Sequence, residues 1–275
     1  MIGFDNGSYR NLSEISIPIT SLSINRGYGA FEFLEVINGK PFYGDRHVSR
    51  FLKSMRLLKV KTNFDDRLGE VIAELIERNE LWNGFIKLFA LPHEAVFQAH
   101  YEASLYAFPT QMPDYPASFY ADGVRLVLQA FDRFLPKAKS TNYLAGQYWM
   151  NEQSDPRVTD VLFHNGKTVQ ETSRGNLFVV KAGKVITPSE NVLEGVTRGL
   201  VLEILKAKQL PFAEAELSLE ELLTADEVFL SSTTKHIMPV TTLDDHQVAD
   251  GKPGPITREV MEAFKQHKQA YGLSS

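Results

Sequence analysis

Lys139 is the first residue of this sequence whose type and surroundings could do chemistry. It lies in the basic turn PKAKST, between an apolar run that predicts a strand and a stretch near Asn142 that predicts a helix. Desolvation or a neighbouring cation lowers the pKa of a lysine ammonium, and the neutral amine can attack a carbonyl group to form a Schiff base. Most lysines are solvated surface groups, and Lys137 lies in the same turn. The turn alone leaves both a nucleophile and a surface ammonium open for Lys139.

Groups that favour an anion recur at other places in the chain. Gly195–Thr197 comes directly before an amphipathic run, and the amides and dipole of a helix start, with the Thr197 hydroxyl, form a cradle for phosphate. In FLSSTTKHIMPV the hydroxyls of residues 232–234 follow an apolar strand and can also meet a phosphate. Arg50, on the polar side of a predicted helix, can supply a cation for the same group. Each segment also has an ordinary explanation as a helix cap, a strand end or a surface salt bridge.

Glu171 is the acidic residue of VQETSRGNLFVV, where it closes one predicted strand before a Gly-Asn pair opens the next. A carboxylate beside a pyridine nitrogen keeps that nitrogen protonated, which makes the ring an electron sink. A hairpin carboxylate that faces water is the structural alternative. The segment by itself leaves both open.

Strands and helices are both predicted for the first part of the chain. The runs ISIPITSLSI and AFEFLEVI carry β-branched and aromatic residues, and NGK after the second run indicates a hairpin. Apolar residues at three- and four-residue spacing predict one helix from Asp45 to about Leu58 and another from about Asp66 to Leu81. Strands return with GFIKLFAL and EASLYAF.

The second part alternates short strands with helices, after a segment, FPTQMPDYP, whose prolines disfavour regular structure. Strands are predicted in GVRLVLQAF, DVLFHN, NLFVV, KVITP and DEVFLSS, and helices in VTRGLVLEILKAK and PITREVMEAFKQHKQ. This mixture predicts an α+β (mixed α/β) architecture instead of a regular doubly wound sheet. We expect an N-terminal α+β domain at residues 1–107, an interdomain connection at 108–120 and a C-terminal domain at 121–275.

The composition narrows the classes of function. A chain of 275 residues with 43% hydrophobic residues is long enough to fold around one large core or two smaller ones. The net charge of −5 is mild and the basic residues are scattered, so we expect no nucleic-acid partner. The absence of cysteine excludes disulfides, thiolate metal sites and cysteine nucleophiles, and it suits a reducing cytoplasm. No run predicts a membrane helix or an export signal, and no metal site is expected.

The ordered set of segments resembles the successive signatures of the class IV aminotransferase family, the pyridoxal phosphate enzymes of fold type IV. The resemblance is carried, over nearly the whole chain, by RGYGAFEFLEVINGKPFYGDRHVSRFLKS, KSTNYLAG, ETSRGNLFVV, LEGVTRGLVLEI and ADEVFLSSTTKHIMPV. The family includes branched-chain aminotransferases, D-amino acid aminotransferases and 4-amino-4-deoxychorismate lyases. It implies a small N-terminal α/β sandwich-like domain and a larger C-terminal domain that binds pyridoxal 5'-phosphate and has a β-barrel-like core with surrounding helices.

The resemblance implies cofactor roles for residues of these segments. Lys139 in KSTN would be the Schiff-base lysine and the proton carrier of the reaction, whereas Lys137 matches no position of the family. Glu171 would face the pyridine nitrogen. Tyr143 resembles a tyrosine near the cofactor's phenolic oxygen, although its spacing from the lysine is one residue shorter than in the branched-chain enzymes. The remaining cofactor contacts that the resemblance implies are Arg50, Asn176, Val196, Thr197, Ser232 and Thr233.

The substrate is less well defined than the cofactor. SSTT and GKPGPITREV are most similar to D-amino acid aminotransferases. In those enzymes an arginine and a histidine after the strand that matches FIKLFALPHE hold the substrate carboxylate, but this chain has Leu91 and Pro92 in the arginine region and retains only His93 nearby. The candidate substrate contacts are Tyr28, Phe31, Lys87, His93 and Thr234.

Three functions are compatible with these segments. The leading one is transfer of an amino group between an amino acid, branched-chain-like or D-amino acid-like, and a 2-oxo acid. The second is a 4-amino-4-deoxychorismate lyase, which eliminates pyruvate and gives 4-aminobenzoate, and the third is a non-catalytic relative of the same fold. Because family members are generally homodimers, the resemblance also implies a homodimer.

Overall fold

The computed structural model of the protein describes residues 1–93, 99–111 and 114–273. The described residues form two compact units. The first unit contains the described part of Met1–Pro113, together with Lys137–Asn142 and the described part of Tyr271–Ser275. The second unit contains Asp114–Pro136 and Tyr143–Ala270.

Helices and strands are interleaved along the described residues. The helices are α1 (Leu22–Arg26), α2 (Gly44–Leu57), α3 (Leu68–Arg78), α4 (Ala117–Ala121), α5 (Leu144–Asn151), α6 (Val196–Ala207), α7 (Leu219–Leu223) and α8 (Pro255–Leu273), with a 3₁₀ turn at Leu12–Glu14. The strands are β1 (Ile2–Asp5), β2 (Ser8–Asn11), β3 (Ala30–Ile37), β4 (Lys40–Pro41), β5 (Val60–Lys61), β6 (Gly84–Pro92), β7 (Tyr101–Thr110), β8 (Val124–Ala130), β9 (Val158–His164), β10 (Val169–Thr172), β11 (Asn176–Lys181), β12 (Lys184–Pro188), β13 (Phe212–Ala215), β14 (Glu227–Ser232), β15 (His236–Leu243) and β16 (His246–Gln247).

A sheet that is antiparallel except for one short pair of strands builds the first unit. Its strands lie in the order β2-β1-β7-β6-β3-β4, and β5 pairs with β7 in parallel. Strict alternation along β3 turns one side of the strand to the core, while the residues between stay half-buried. The core side is covered by α2 and α3, whose apolar stripes supply Phe51, Met55, Leu68, Val71, Ile72 and Leu75.

The strand predicted for ISIPITSLSI is wrong. Residues 15–21 lie in neither a helix nor a strand, and Leu22–Arg26 forms α1. Ser21 begins this helix because its side chain accepts a hydrogen bond from the Ser23 amide. The Ser21 hydroxyl also donates to Pro92 O at 2.7 Å. A serine that fits a strand pattern therefore serves as a helix cap, fixed by a contact 71 residues away.

The second unit is built on a sheet of both parallel and antiparallel pairs. Its strands lie in the order β10-β9-β8-β15-β14-β11-β12-β13, and β16 pairs with β15. The strands β10, β11 and β14 are buried at nearly every residue, so helices and loops must cover both of their sides. β11 pairs with β14 through Asn176 and Ser231, which places the turn before Asn176 and the turn after Ser232 at the same end of the sheet.

The mixed α/β class predicted from the sequence is confirmed, and so are the helices predicted after Asp45 and after Asp66. The predicted interdomain connection is partly regular, because β7 continues to Thr110 and α4 begins at Ala117. Its residues 112–113 lie outside the described residues, and the predicted domain boundaries at 107 and 121 stay a prediction. None of the helices in the described ranges combines the length and apolarity that a membrane crossing requires.

Candidate active site

Arg50 is held by a buried carboxylate in the first unit. α2 places His47 and Arg50 next to Glu32 of β3. Arg50 donates from Nε to Glu32 Oε2 at 2.8 Å and from Nη2 to Glu32 Oε1 at 2.5 Å. His47 Nδ1 lies 3.2 Å from Glu32 Oε1. The side chains of Glu32 and His47 are 1% and 2% exposed, so this cluster is closed to solvent on the carboxylate side.

The charge of the Arg50 guanidinium influences the protonation of both Glu32 and His47. Burial disfavours an ionised Glu32, but the charge of Arg50 and hydrogen bonds from Arg50 and His47 outweigh it and hold the pKa of Glu32 well below its usual range. Burial, helped by the charges of Arg50 and Lys139, lowers the pKa of His47 despite its bond to Glu32. His47 is therefore neutral at pH 7, and its Nδ1–H donates because an ionised carboxylate only accepts.

Lys139 is tied to β3 and α2 through its backbone. The Phe31 amide donates to Lys139 O at 3.0 Å, and the Lys139 amide donates to Ser54 Oγ at 3.0 Å. Lys139 Nζ lies 4.7 Å from the centroid of the Phe31 ring. Lys139 is half-buried, whereas Lys137 is exposed. The first unit thus gives Lys139 a fixed backbone and an apolar neighbour, and it leaves Lys137 to solvent.

The side of the first-unit sheet opposite to α2 carries aromatic rings around Lys87. This aromatic face consists of Phe31, Phe33, Phe85, Lys87, Phe89 and Phe108. The Phe31 and Phe89 rings stack with centroids 5.9 Å apart, and Lys87 Nζ lies 5.1 Å from the Phe89 centroid and 5.8 Å from that of Phe31. Burial, helped by the charge of Lys139, lowers the pKa of Lys87. A cation on an apolar surface of this kind is a strong partner for an anion.

Tyr28 and His93 make structural contacts in the same unit. The Tyr28 hydroxyl donates to Leu58 O, and its ring packs edge-on against Tyr101 at a centroid distance of 5.6 Å. His93 is exposed, and its Nε2 lies 2.8 Å from Ser104 Oγ. A contact of either residue with a substrate stays a prediction.

Glu171 is the centre of the second unit's polar cluster. It belongs to the last part of β10 and is 2% exposed, so water does not solvate its charge. Glu171 Oε2 accepts hydrogen bonds from Asn176 Nδ2 at 3.1 Å and from the Leu193 amide at 2.9 Å. Glu171 Oε1 accepts from Arg133 Nη1 at 2.7 Å. Donors from separate segments therefore keep this carboxylate ionised and oriented.

Arg133 was not predicted as a site residue. Its guanidinium carbon lies 5.7 Å from the centroid of the Tyr143 ring, and its side chain is 9% exposed. Burial opposes the charge of Arg133, but Glu171 and Tyr143 favour it more strongly, so the pKa of Arg133 is raised. Loop position alone does not distinguish it from a surface arginine. Glu32, in contrast, can be identified from the sequence pattern, because the alternation of β3 places this acidic residue on the apolar side of the strand.

The start of α6 lies directly beside Asn176. Asn176 Nδ2 also donates to Leu193 O at 2.8 Å, and a Cβ added to Gly195 would collide with Asn176 Oδ1. A side chain at the N-cap of α6 would therefore displace Asn176 from its present position. Val196 and Thr197 are buried residues of the first turn of α6. The first hydrogen bond of the helix runs from the Gly199 amide to Gly195 O, so the amides of Val196 and Thr197 lie before it.

The hydroxyl turn after β14 lies at the same end of the sheet. Ser232 Oγ accepts from the Lys235 amide at 3.0 Å and lies 3.4 Å from Thr234 Oγ1. Thr233 and Thr234 are half-buried. Among the described residues, the buried Ser231 Oγ has no hydrogen-bond partner. An oriented carboxylate, a helix start and several hydroxyls therefore meet in the second unit, an arrangement that can bind a molecule carrying both a proton donor and an anion.

The structure brings the predicted site residues together in two groups, one within each unit. The first-unit group contains Arg50, Lys139, Phe31 and Lys87. The second-unit group contains Glu171, Asn176, Val196, Thr197, Ser232, Thr233, Thr234 and Tyr143.

Replacing Glu32 by glutamine tests the first-unit cluster. Glu32→Gln leaves the Arg50 charge buried without its counter-ion, so we expect the free energy of unfolding at pH 7 to fall by about 3 kcal/mol. The control is Glu74→Gln, which breaks the exposed pair with Arg78 and should cost about 0.5 kcal/mol or less. Denaturant titration measures both.

The same variant predicts a pH dependence. Because folding lowers the pKa of Glu32, its ionised carboxylate stabilises the folded state fully above the usual carboxyl pKa of 4.5. This stabilisation is lost as the pH falls below that value. The difference in stability between the wild type and Glu32→Gln should therefore shrink between pH 5 and pH 3. A difference that stays constant over this range would contradict the assignment.

Comparisons with known proteins agree with this geometry. The family model for class IV amino-transferases matches residues 29–243. A D-alanine aminotransferase of Staphylococcus aureus is 30% identical over 98% of this chain and 99% of the relative. The structure of a 4-amino-4-deoxychorismate lyase from Pseudomonas aeruginosa is 26% identical, with a TM-score of 0.81 over 96% of this chain and 98% of that chain.

A T.th. branched-chain amino acid aminotransferase, solved with pyridoxamine 5'-phosphate, shares the fold with a TM-score of 0.89 at 24% identity, over 98% of this chain and 94% of that chain. The fold predicted from the sequence, that of the type IV pyridoxal phosphate enzymes, is confirmed. The match to the family model covers most of the chain, and the curated relative extends it to nearly the full length. The chain belongs to the class IV aminotransferase family.

Proposed function

We propose that the protein uses pyridoxal 5'-phosphate to transfer an amino group between an amino acid and a 2-oxo acid. The observation that carries the proposal is the buried carboxylate of Glu171, held by Asn176 beside the first turn of α6, in a chain of this family. The names of the Staphylococcus aureus relative and of the T.th. enzyme support the reaction class and the cofactor.

The residues present fit the charged groups of this cofactor. A phosphate dianion needs donors, and the amides at the start of α6 and the Thr197, Ser232 and Thr233 hydroxyls are suitable ones. Gly195 keeps the cradle open, because a Cβ there would collide with Asn176. The buried Ser231 Oγ, without a partner in the described part of the chain, adds polar capacity at the same end of the sheet. Arg50 is proposed as the cationic contact of the phosphate.

When bound, pyridoxal 5'-phosphate supplies a carbonyl carbon and a ring that accepts electrons. Lys139 Nζ is proposed to hold that carbonyl carbon and, once an amino substrate has displaced it, to move a proton between the substrate Cα and the carbon C4' of the cofactor. Glu171 would keep a proton on the ring nitrogen, since Arg133 and Asn176 hold its carboxylate ionised and in place. Tyr143 is proposed to contact the phenolic oxygen.

The aromatic face suggests how the substrate is recognised. We propose that its rings bind an apolar side chain and that Lys87 binds a carboxylate, the function of the arginine that Leu91 and Pro92 replace in this sequence. Lys87 is half-buried among these rings, and the partial loss of water strengthens its attraction for an anion. Phe31, Tyr28, His93 and Thr234 remain the other proposed substrate contacts.

Lys139→Ala tests the reaction centre. Because the variant lacks the proposed nucleophile, borohydride treatment of the cofactor-loaded protein should fix no cofactor to it. Lys137→Ala, two residues away in the exposed part of the turn, is the matched control and should behave as the wild type. Mass spectrometry of the peptides locates the modified lysine, and cofactor fixed in Lys139→Ala would refute the assignment.

The spectrum of the loaded wild type, followed through L- and D-amino donors, tests the reaction class. A transaminase converts the bound cofactor to its pyridoxamine form with an amino donor, and a 2-oxo acid restores it. The second candidate is a 4-amino-4-deoxychorismate lyase, favoured by the likeness to the Pseudomonas aeruginosa structure. Pyruvate release from aminodeoxychorismate without any acceptor would support the lyase instead. A protein that takes up no cofactor would refute both.

Lys87→Met tests the carboxylate contact. Methionine keeps the length and apolar stem but removes the charge, so the KM for amino acid and 2-oxo acid should each rise about tenfold or more while the cofactor remains bound. Lys61→Met, an exposed lysine of the same unit, is the control. An unchanged KM for Lys87→Met would assign the carboxylate to another residue.

We propose that the protein is a homodimer in the cytoplasm. The second unit exposes Phe134, Leu144 and Tyr148 at 86%, 77% and 59%, apolar surface that a second copy could cover. Light scattering should give twice the chain mass of 31.0 kDa, and Leu144→Glu should lower that mass toward the monomer value. A wild-type monomer at micromolar concentration would contradict the proposal.

A further inference from the structure

Asp160 and Lys235 form an ion pair inside the second unit. Lys235 Nζ donates to Asp160 Oδ2 at 2.7 Å, and the two side chains are 1% and 0% exposed, in the order lysine and aspartate. Asp160 belongs to β9, whereas Lys235 lies in the turn between β14 and β15. Neither residue has a role in the chemistry proposed above.

Asp160 also accepts hydrogen bonds from the turn that follows Glu171. The hydroxyl of Thr172 lies 3.2 Å from Asp160 Oδ2 and 3.0 Å from Gly175 O, and the hydroxyl of Ser173 donates to Asp160 Oδ1. The backbone amide of Val161 donates to Asp160 Oδ1 at 2.9 Å. One buried carboxylate thus fixes the turn that carries Glu171 at its start.

Lys235 fixes the hydroxyl turn in the same way. Its amide donates to Ser232 Oγ, and its side chain ends on Asp160, so the lysine is anchored at both ends. The two turns also lie next to each other, because a Cβ on Gly175 would come within 3.4 Å of Ser232 Cβ. The turn at residues 172–175 and the turn at 232–235 are therefore joined through a single buried pair.

The chemistry of the pair argues for a role in positioning. Two buried charges lose their hydration, and an apolar pair of similar volume often stabilises a protein as well or better. Burial lowers the pKa of Lys235 although Asp160 opposes this, whereas Lys235 and Arg174 hold the pKa of Asp160 below its usual value against burial. What an apolar pair cannot provide is the set of directed hydrogen bonds that holds the hydroxyls of both turns.

We propose that Asp160 and Lys235 are positioning residues that couple the turn carrying Glu171 to the hydroxyl turn at 232–235, so that the ring-nitrogen carboxylate and the phosphate donors are set in one geometry. This inference rests on the proposed function, because that function assigns the ring nitrogen and the phosphate of the cofactor as the ligands of the two turns. It also makes a claim about the cofactor-free protein, because loosening one turn should loosen the other.

The test compares Lys235→Met, Asp160→Asn and the double variant. In the cofactor-free proteins, hydrogen exchange should accelerate at residues 172–175 and 232–235 together in all three. The pyridoxal phosphate concentration for half-saturation, read from intrinsic fluorescence, should rise about tenfold. The double variant removes both charges of the pair, so neither is left unpaired. We therefore expect it to recover thermal stability but not the affinity for pyridoxal phosphate. It also replaces a single variant that fails to fold.

The control is Val228→Ala, a buried residue of β14 away from the turn. It should lower the thermal midpoint and leave both the half-saturation concentration and the exchange of the two turns unchanged. A double variant that binds the cofactor like the wild type, or faster exchange confined to one turn, would overturn the inference alone. A wild type that takes up no pyridoxal phosphate would overturn the proposed function and this inference together.

Discussion

An ionised carboxylate can be buried only where donors replace its lost water, and this constraint organises both units of the protein. Glu32, Asp160 and Glu171 are each at most 2% exposed. Glu32 is matched by Arg50, and Glu171 by Arg133, in both cases by an arginine from a different segment of the chain. Because hydrogen bonds to a carboxylate are directional, the segments that supply these donors are fixed in place together with it. Much of the order of the polar clusters therefore follows from satisfying these buried charges.

The sheet of the second unit determines where such clusters can form. Its central strands are buried on both sides, so polar side chains find room mainly where the strands end. The turn after β10 and the turn after β14 meet at one end because β11 and β14 pair antiparallel through Asn176 and Ser231. The amide of Asn176 then bridges Glu171 and the segment before α6, and the absent side chain of Gly195 makes that approach possible.

In the first unit, the two sides of the sheet carry different kinds of residue. One side packs against α2 and α3 and includes Glu32, which holds Arg50. The other side carries the aromatic face with Lys87, and Lys139 lies next to Phe31. Membership in the class IV aminotransferase family accounts for the fold and for the kind of reaction. The identity of the substrate is a separate question, because this sequence has Leu91 and Pro92 where the D-amino acid enzymes have their arginine.

The sequence by itself determined α2, α3 and the order of the site segments, because apolar periodicity and motifs are encoded by residues close together in the chain. ISIPITSLSI was predicted wrongly, because Ser21 starts a helix with the help of a distant carbonyl group. Only the tertiary structure decided which charges pair. Arg133 and Glu171 are 38 residues apart, and Asp160 and Lys235 are 75 residues apart. Such partners leave no periodic signal, since the energy of an ion pair depends on distance and burial in space and not on separation along the chain.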